Sequence, residues 1–370
     1  MTAIEYDHDA RLTARAFDVA ELAADRAEEA ESARTPDITV VDAVVDAGFA
    51  RHFAPPEFAG AGGSFTALAR AAATVGARCP ATAWCAVLAA LMTRGAGALS
   101  VEGQRRLWGD RPDVLIAGGV LPKGIVSPGD GGWILSGVWP TVSACECADW
   151  VLLAAIVESG GEPTGRICLV PQSDIRIERT WDSTGMLATG SHTVVAEQLF
   201  VPASLTFPSS ALTETDSPPV GPDGRAVPML AVNSLAFSMP ILGAARGALR
   251  LWQQLVATRD LTYIAPVYAR ASSEIDAAGL ILERVAYLAD TASTFSRADV
   301  VRNRRDCAFA AGLLVDAVDR LFRASGSGGH STSAPLQRLW RDVHTAGSHA
   351  ALQFGPIATA YTQHTLGTSS

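Results

Sequence analysis

The chain has 370 residues, 48% of them hydrophobic, which is enough to bury several packed layers and excludes an unstructured chain. Its 38 acidic residues outnumber 29 basic ones for a net charge of −9; no basic cluster is dense enough to serve a phosphate backbone, so no nucleic-acid partner is expected. No run of eighteen uninterrupted apolar residues occurs, and MTAIEYDHDARLTARAF carries charges where a secretory signal needs an apolar stretch. The expected setting is the cytoplasm, with no membrane contact.

From Asp9 to about Arg34 apolar residues recur at helical spacing, Phe17, Ala20, Leu22 and Ala24 among them. TPD at 35–37 ends that helix and opens a second over about 38–47, after which RHFAPPEFAGAGG forces a loop. Helices follow over 65–77, 82–98 and about 102–108, so residues 1–112 read as a helical domain. At Asp113 the period changes to two, or to short apolar runs such as VLIAGGV, GGWILSGVW, DWVLLAAIV, RICLVP, IRIERTW and TVVAEQLFVP. Residues 113–205 therefore read as a β domain, a small barrel or sandwich. FPSSALTETDSPPVGPDGRAVP marks 206–228 as a linker. Beyond it, four long amphipathic segments with short turns predict a C-terminal four-helix bundle over 229–370.

Six cysteines are scattered without the spacing of a disulfide framework, which fits a reducing compartment. Cys145 and Cys147 form C-x-C, but no second pair stands near enough to complete a four-ligand zinc set, and no metal is expected there.

An order of helices, then strands, then a four-helix bundle resembles the acyl-CoA dehydrogenase superfamily. Three stretches sharpen the likeness to one branch, the oxygenase components of two-component flavin-dependent monooxygenases. WILSGVWPTVSACECADWVLLAA (133–155) resembles that branch's GGYRLSGRWSFSSGCDHADWVLLG, WDSTGMLATGSHTVVAEQLFVP (181–202) is similar to its GMRATGSHTVVVEDVFVP, and PLQRLWRDVHTAGSH (335–349) resembles the start of its last bundle helix. Leu187 stands where the branch often has Arg, Ala144 where it usually has Gly, and AALMTRGAGAL lacks a His commonly found there. The resemblance implies an α+β fold, mostly α: an N-terminal helical domain, a central β-barrel and a C-terminal four-helix bundle. It implies transiently bound reduced FMN or FAD, dioxygen, a separate flavin reductase and a homotetramer.

The resemblance further implies hydroxylation of an aromatic or polyketide-like small molecule through a flavin hydroperoxide. Carried over residue by residue, Trp139 would pack against the flavin ring, with Thr141, Ser143, Gly190 and Ser191 at its polar edge. Trp84, Met92 and His344 would line the substrate pocket. A phenol attacks oxygen better as phenolate, and His349 is the expected base. Five residues at 100° each would set His344 and His349 about 140° apart on one helix, with His349 sharing a stripe with Asp342. The other readings are an N-hydroxylating oxygenase acting on amino sugars, an acyl-CoA dehydrogenase-like oxidoreductase and a flavin-free cyclase or binding protein. The dehydrogenase needs a glutamate base, and no Glu follows Glu283.

Overall fold

The computed structural model describes residues 3–158, 164–213 and 227–367. Its N-terminal part holds α1 (Ala3–Asp25), α2 (Ala27–Ala33), α3 (Ile38–Ala47), α4 (Phe65–Gly76), α5 (Pro80–Ala96) and α6 (Val101–Trp108). The single helix expected over 9–34 is two, broken at Arg26, which lies between them at ψ 0°. The other starts are set by local chemistry. Asp37 accepts from the Thr39 and Val40 N–H groups, Ser64 from Ala67, and Pro80 occupies the first turn of α5, where no amide hydrogen is needed. Helix α5 is apolar nearly all round and buried on every side, as such a composition requires.

The strands are β1 (Ile116–Gly129), β2 (Gly132–Val142), β3 (Trp150–Val157), β4 (Gly165–Pro171), β5 (Arg176–Glu178), β6 (His192–Pro202) and β7 (Thr206–Pro208). They form one seven-stranded sheet in the order β5-β6-β2-β1-β3-β4-β7, antiparallel except for β1 beside β3. β7 and the short α7 (Ser210–Thr213) lie where a linker was expected to begin. Thr206–Pro208 pair with Arg166–Cys168, so ladder bonds outweigh the Pro/Ser-rich composition. Residues 214–226 of that expected linker fall outside the described residues.

The C-terminal part is α8 (Met229–Val256), α9 (Leu261–Thr291), α10 (Arg297–Arg323), α11 (Pro335–Gly347) and α12 (Phe354–Leu366). α10 starts with a reciprocal capping box, Ser296 with Asp299. The last of the four expected helices is interrupted after Gly347, giving five. α8 is the axis of the molecule, packing on α4, α5, α9, α10 and α11. At its crossing with α4, a Cβ on Gly243 would collide with the Ala73 carbonyl oxygen and one on Gly247 with that of Ala77. Backbones that meet this closely join the N-terminal helices to the bundle. α8 is also the one helix among the described residues long and apolar enough to cross a membrane, and 72% of its apolar window is buried inside the protein.

The N-terminal helix is tied down by polar contacts. His8 and His52 are 3.1 Å apart, His52 Nε2 lies 3.0 Å from the Ser64 carbonyl, and Asp9 accepts from the Ser64 hydroxyl. Asp290 of α9 accepts from the Phe65 and Thr66 amides at the start of α4.

Candidate active site

Five elements bring together side chains scattered through the sequence. Trp84 comes from α5, Phe237 from α8, Ser143 from the turn after β2, Thr189 and Ser191 from the loop before β6, and His349 from the turn after α11. The His349 ring lies 4.1 Å from Phe237 and 5.4 Å, edge to face, from Trp84. Trp84 Nε1 donates to Ser143 Oγ at 3.3 Å, Ser143 meets Ser191 Oγ at 2.8 Å, and Ser191 meets Thr189 Oγ1 at 2.7 Å. Trp84, Ser143, Thr189 and Ser191 are all buried.

A cleft opens to solvent beside Ser143. Its walls are Val40, Val41 and Val44 of α3, Cys85, Leu88 and Ala89 of α5, Leu115–Ala117, and Ser143, Ala144, Cys147 and Ala148 of the turn after β2, and no Asp, Glu, His, Lys or Arg lines it. The turn feeding it is strained: Thr141 and Ala144 have φ of +59° and +55°. A β-branched residue in that region is a genuine outlier, and such strain gathers at functional sites. Ala144 thus occupies the backbone conformation that makes Gly the usual residue there.

His349 is not on a helix. α11 ends at Gly347 with Ser348 as its cap, and His349 is extended (φ −60°, ψ 139°), capping a 3₁₀ turn over Ala350–Leu352. Ser234 of α8 holds that turn by donating to the Ala351 carbonyl at 2.8 Å. The helical phasing of His344 against His349 therefore does not apply. His349 Nδ1 accepts from the Ala351 amide at 3.2 Å, which places the ring proton on Nε2, and burial lowers its pKa to about 4. In this geometry His349 is a neutral ring presenting an N–H, so it does not act as the expected base unless the Ala351 bond breaks.

Trp139 is also placed differently from the expectation. It is 1% exposed, lies over Gly119, Gly124 and Gly137 inside the sheet, and donates its indole proton to the Ala154 carbonyl at 2.8 Å. Glycines on β1 and on its own strand leave a slot that the ring fills, so it supports the sheet and offers no face to a ligand. Thr141 is exposed, its hydroxyl bonded to the Pro140 carbonyl. Gly190 (φ +53°) shapes the loop behind Ser191. Met92 packs on Gly118, one turn beyond Ala89 of the cleft. His344 lies apart from the site, 4.8 Å from the Trp340 ring and 3.7 Å from Asp319 on α10.

Sequence reading passed over Phe237, Thr189 and the task of Asp342. Asp342 is 2% exposed and accepts from the Met186 amide at 2.5 Å, and burial raises its pKa to about 7. Arg341 beside it donates to the Thr184 carbonyl and pairs with Glu31 of α2. Together they clamp the 184–187 segment, and so the loop carrying Thr189 and Ser191, onto α11. Only the hydroxyl pair in ATGSH could have signalled this loop from sequence. All six cysteines are free; burial raises the pKa of each, so none is an activated thiolate.

An apolar cleft with no carboxylate in its lining offers binding surface and no acid or base among Asp, Glu, His, Lys and Arg. Residues 235–354 match the family model described as acyl-CoA dehydrogenase, C-terminal domain. The chain is 32% identical to the FADH(2)-dependent resorcinol hydroxylase, oxygenase component, of Rhizobium sp. strain MTP-10005, over 96% of this chain and 94% of that one. The crystal structure of 3-HSA hydroxylase from Rhodococcus sp. RHA1 superposes with a TM-score of 0.91 at 28% identity, covering 97% and 98% of the two chains. XiaF from Streptomyces sp., in complex with FADH2 and glycerol, gives 0.90 at 28% identity, covering 100% and 98%. The chain belongs to the family of oxygenase components of two-component flavin-dependent monooxygenases.

Proposed function

We propose that this enzyme accepts reduced flavin, FAD in preference to FMN, from a separate reductase and uses it with dioxygen to hydroxylate an uncharged aromatic or polyketide-like small molecule. The observation that carries the reading is the cleft: apolar walls, a polar end at Ser143, and no ionisable Asp, Glu, His, Lys or Arg in its lining. A planar group with apolar faces and a polar rim fits that surface. Ser143, held from behind by Ser191, would meet its polar rim. When bound, reduced flavin supplies the activation of oxygen.

The chain's own residues bind, orient and exclude water. Trp84, Phe237 and His349 pack ring against ring, and Trp84 joins them to Ser143 of the cleft; a dry site is what keeps activated oxygen from being lost as peroxide. His349, neutral near pH 7, offers Nε2–H to an oxygen of the substrate. An anionic substrate would lose its hydration with no cation to replace it, which is costly. The preference for FAD draws on the Rhizobium and Streptomyces relatives, both named with FADH2; the former acts on resorcinol, a small uncharged phenol. A dehydrogenase reading lacks its base, since no carboxylate lines the cleft.

The site works in a homotetramer, or at least a dimer, in the reducing cytoplasm. Residues 238–252 of α8 and Trp340 are mostly taken up inside the chain. Exposed apolar residues instead stand on α9 (Leu280, Tyr287), α10 (Phe309) and α12 (Phe354), where a second copy would cover them.

The test is anaerobic titration with FADH2 and FMNH2, followed by air and a panel of phenols with and without a carboxylate. Saturable binding, tighter for FADH2, and hydroxylation of the neutral phenols are expected. Failure of both reduced flavins to bind would sink the reading, leaving the flavin-free alternative.

A further inference from the structure

The distances behind the cleft give the hydroxyl hydrogens one consistent direction, toward a Met186 carbonyl oxygen that also accepts from Trp181 Nε1 and the Thr189 amide. Thr189 Oγ1 lies 2.8 Å from the Met186 carbonyl oxygen, which can only accept, so Thr189 spends its hydrogen there. Ser191, 2.7 Å from Thr189 Oγ1, must then donate to it. Ser143, 2.8 Å from Ser191 Oγ, must in turn donate to Ser191. At the far end Trp84 Nε1, which can only donate, gives its hydrogen to Ser143 Oγ. The chain runs one way, from indole to carbonyl, pinned at both ends. Its carbonyl end is fixed as well: Met186 sits at φ +56° with its own amide bonded to Asp342. Thr189 is 1% exposed, Ser191 5% and Ser143 9%, so bulk water has little access to offer other partners.

Ser143, a lining residue of the cleft, has therefore spent its hydroxyl hydrogen and keeps one lone pair on Oγ. We infer that Thr189 and Ser191 hold Ser143 as an obligate hydrogen-bond acceptor, and that Ser143 is the group through which the protein prefers reduced over oxidised flavin. The inference rests on the flavin site proposed above. Adding two electrons and two protons to the oxidised isoalloxazine turns bare ring nitrogens, which accept, into N–H groups, which donate. A serine that can only accept satisfies an N–H; facing a bare nitrogen, it sets two lone pairs against each other and leaves both unpaired. Unpaired buried polar groups cost more than a formed bond returns, which translates into roughly a ten- to hundredfold difference in affinity. Thr189 and Ser191 touch no ligand in this scheme: they are positioning residues acting through Ser143.

Dissociation constants for oxidised and reduced FAD, measured anaerobically, and the midpoint potential of the bound flavin test this in the full chain and four variants. The unaltered chain should bind FADH2 at least about tenfold more tightly, raising the bound potential by about 30 mV per tenfold for a two-electron couple. Ser191→Ala frees the Ser143 hydrogen to turn toward the ring, and Thr189→Val leaves Ser191 free to reverse. Both should lose most of the preference and bring the potential back toward that of free flavin. Ser143→Ala should do the same, whereas Thr189→Ser, which keeps the hydroxyl, should preserve it. Were Ser191→Ala and Thr189→Val to keep the full ratio, or were the unaltered chain to bind both redox states equally, the relay would be refuted while the flavin site stood. Absence of reduced-flavin binding would remove both.

Discussion

Ala144 and His349 show how single positions carry strain and charge. Ala144 holds φ +55° at the mouth of the cleft, and a Cβ in the left-handed region costs on the order of 1–2 kcal/mol, partly offset in a Gly variant by greater freedom of the unfolded chain. Ala144→Gly should therefore stabilise the protein by about 1 kcal/mol in urea unfolding, with an unchanged slope; a loss would mean the Ala methyl packs usefully. His349 has a pKa lowered by burial to about 4, so its contribution to stability is present above the unfolded value near 6.5 and is lost as pH falls toward 4. At pH 5 the unfolded chain has bound a proton that the folded chain has not. With about 1.36 kcal/mol per pH unit, His349→Gln should show a fall in stability between pH 7 and 5 about 2 kcal/mol smaller than that of the unaltered protein. Equal falls would place the imidazole in water.

At the scale of elements, the site depends on how α11 grips the loop before β6. The Asp342 carboxylate accepts from the Met186 amide, and Met186 in turn anchors the hydroxyl relay. Asp342→Ala leaves that buried N–H without a partner, at a cost of about 1–3 kcal/mol, and should loosen the 184–191 loop, seen as faster amide exchange there. Asp342→Asn keeps an acceptor oxygen and should be milder. Because burial raises the Asp342 pKa to about 7, its stabilising effect is complete below about pH 4 and wanes as pH rises toward 7. The Asn variant, which cannot ionise, should gain on the unaltered protein across that window. A flat difference between the two would argue against a buried carboxyl group. The expected stripe joining Asp342 to His349 was the wrong reason for singling out Asp342: the helix ends between them, and Asp342 faces another domain.

For the whole molecule, the decisive contact is the crossing of α4 and α8, where Gly243 and Gly247 let two backbones touch. Gly243→Ala would drive a methyl into the Ala73 carbonyl and separate the helical layers on which Trp84 and Phe237 stand. A destabilisation of about 1–3 kcal/mol is expected, the usual range for overpacking, together with weaker flavin binding. A melting temperature equal to that of the unaltered protein would show that the layers can slide apart at no cost. The same architecture sets assembly: with α8 consumed inside the chain, Leu280→Glu on α9 should shift sedimentation toward smaller species if copies pair through that face, and leave it unchanged if they do not.

Much of the fold was legible because its signals are local. The change of period at Asp113 separates helices from strands, and Asp37, Ser64, Pro80 and Ser296 announce helix starts within three residues of where they act. Three quoted motifs carried the family. The candidate site was legible in its parts, since Trp84, Ser143, Ser191 and His349 all converge, but not in their roles. Trp139 looks like a ligand platform in sequence and is a core residue because glycines on β1 and on its own strand open a slot for it. His349 looks helical and is a turn residue because α11 stops at Gly347, and only the Ala351 amide decides which ring nitrogen bears the proton. The relay joins residues 59, 48 and 2 positions apart, with no period to connect them. Hydrogen-bond direction depends on which donor faces which acceptor in three dimensions, so the sequence by itself determined the elements and the family, and the tertiary structure alone decided what each polar atom in the site is free to do.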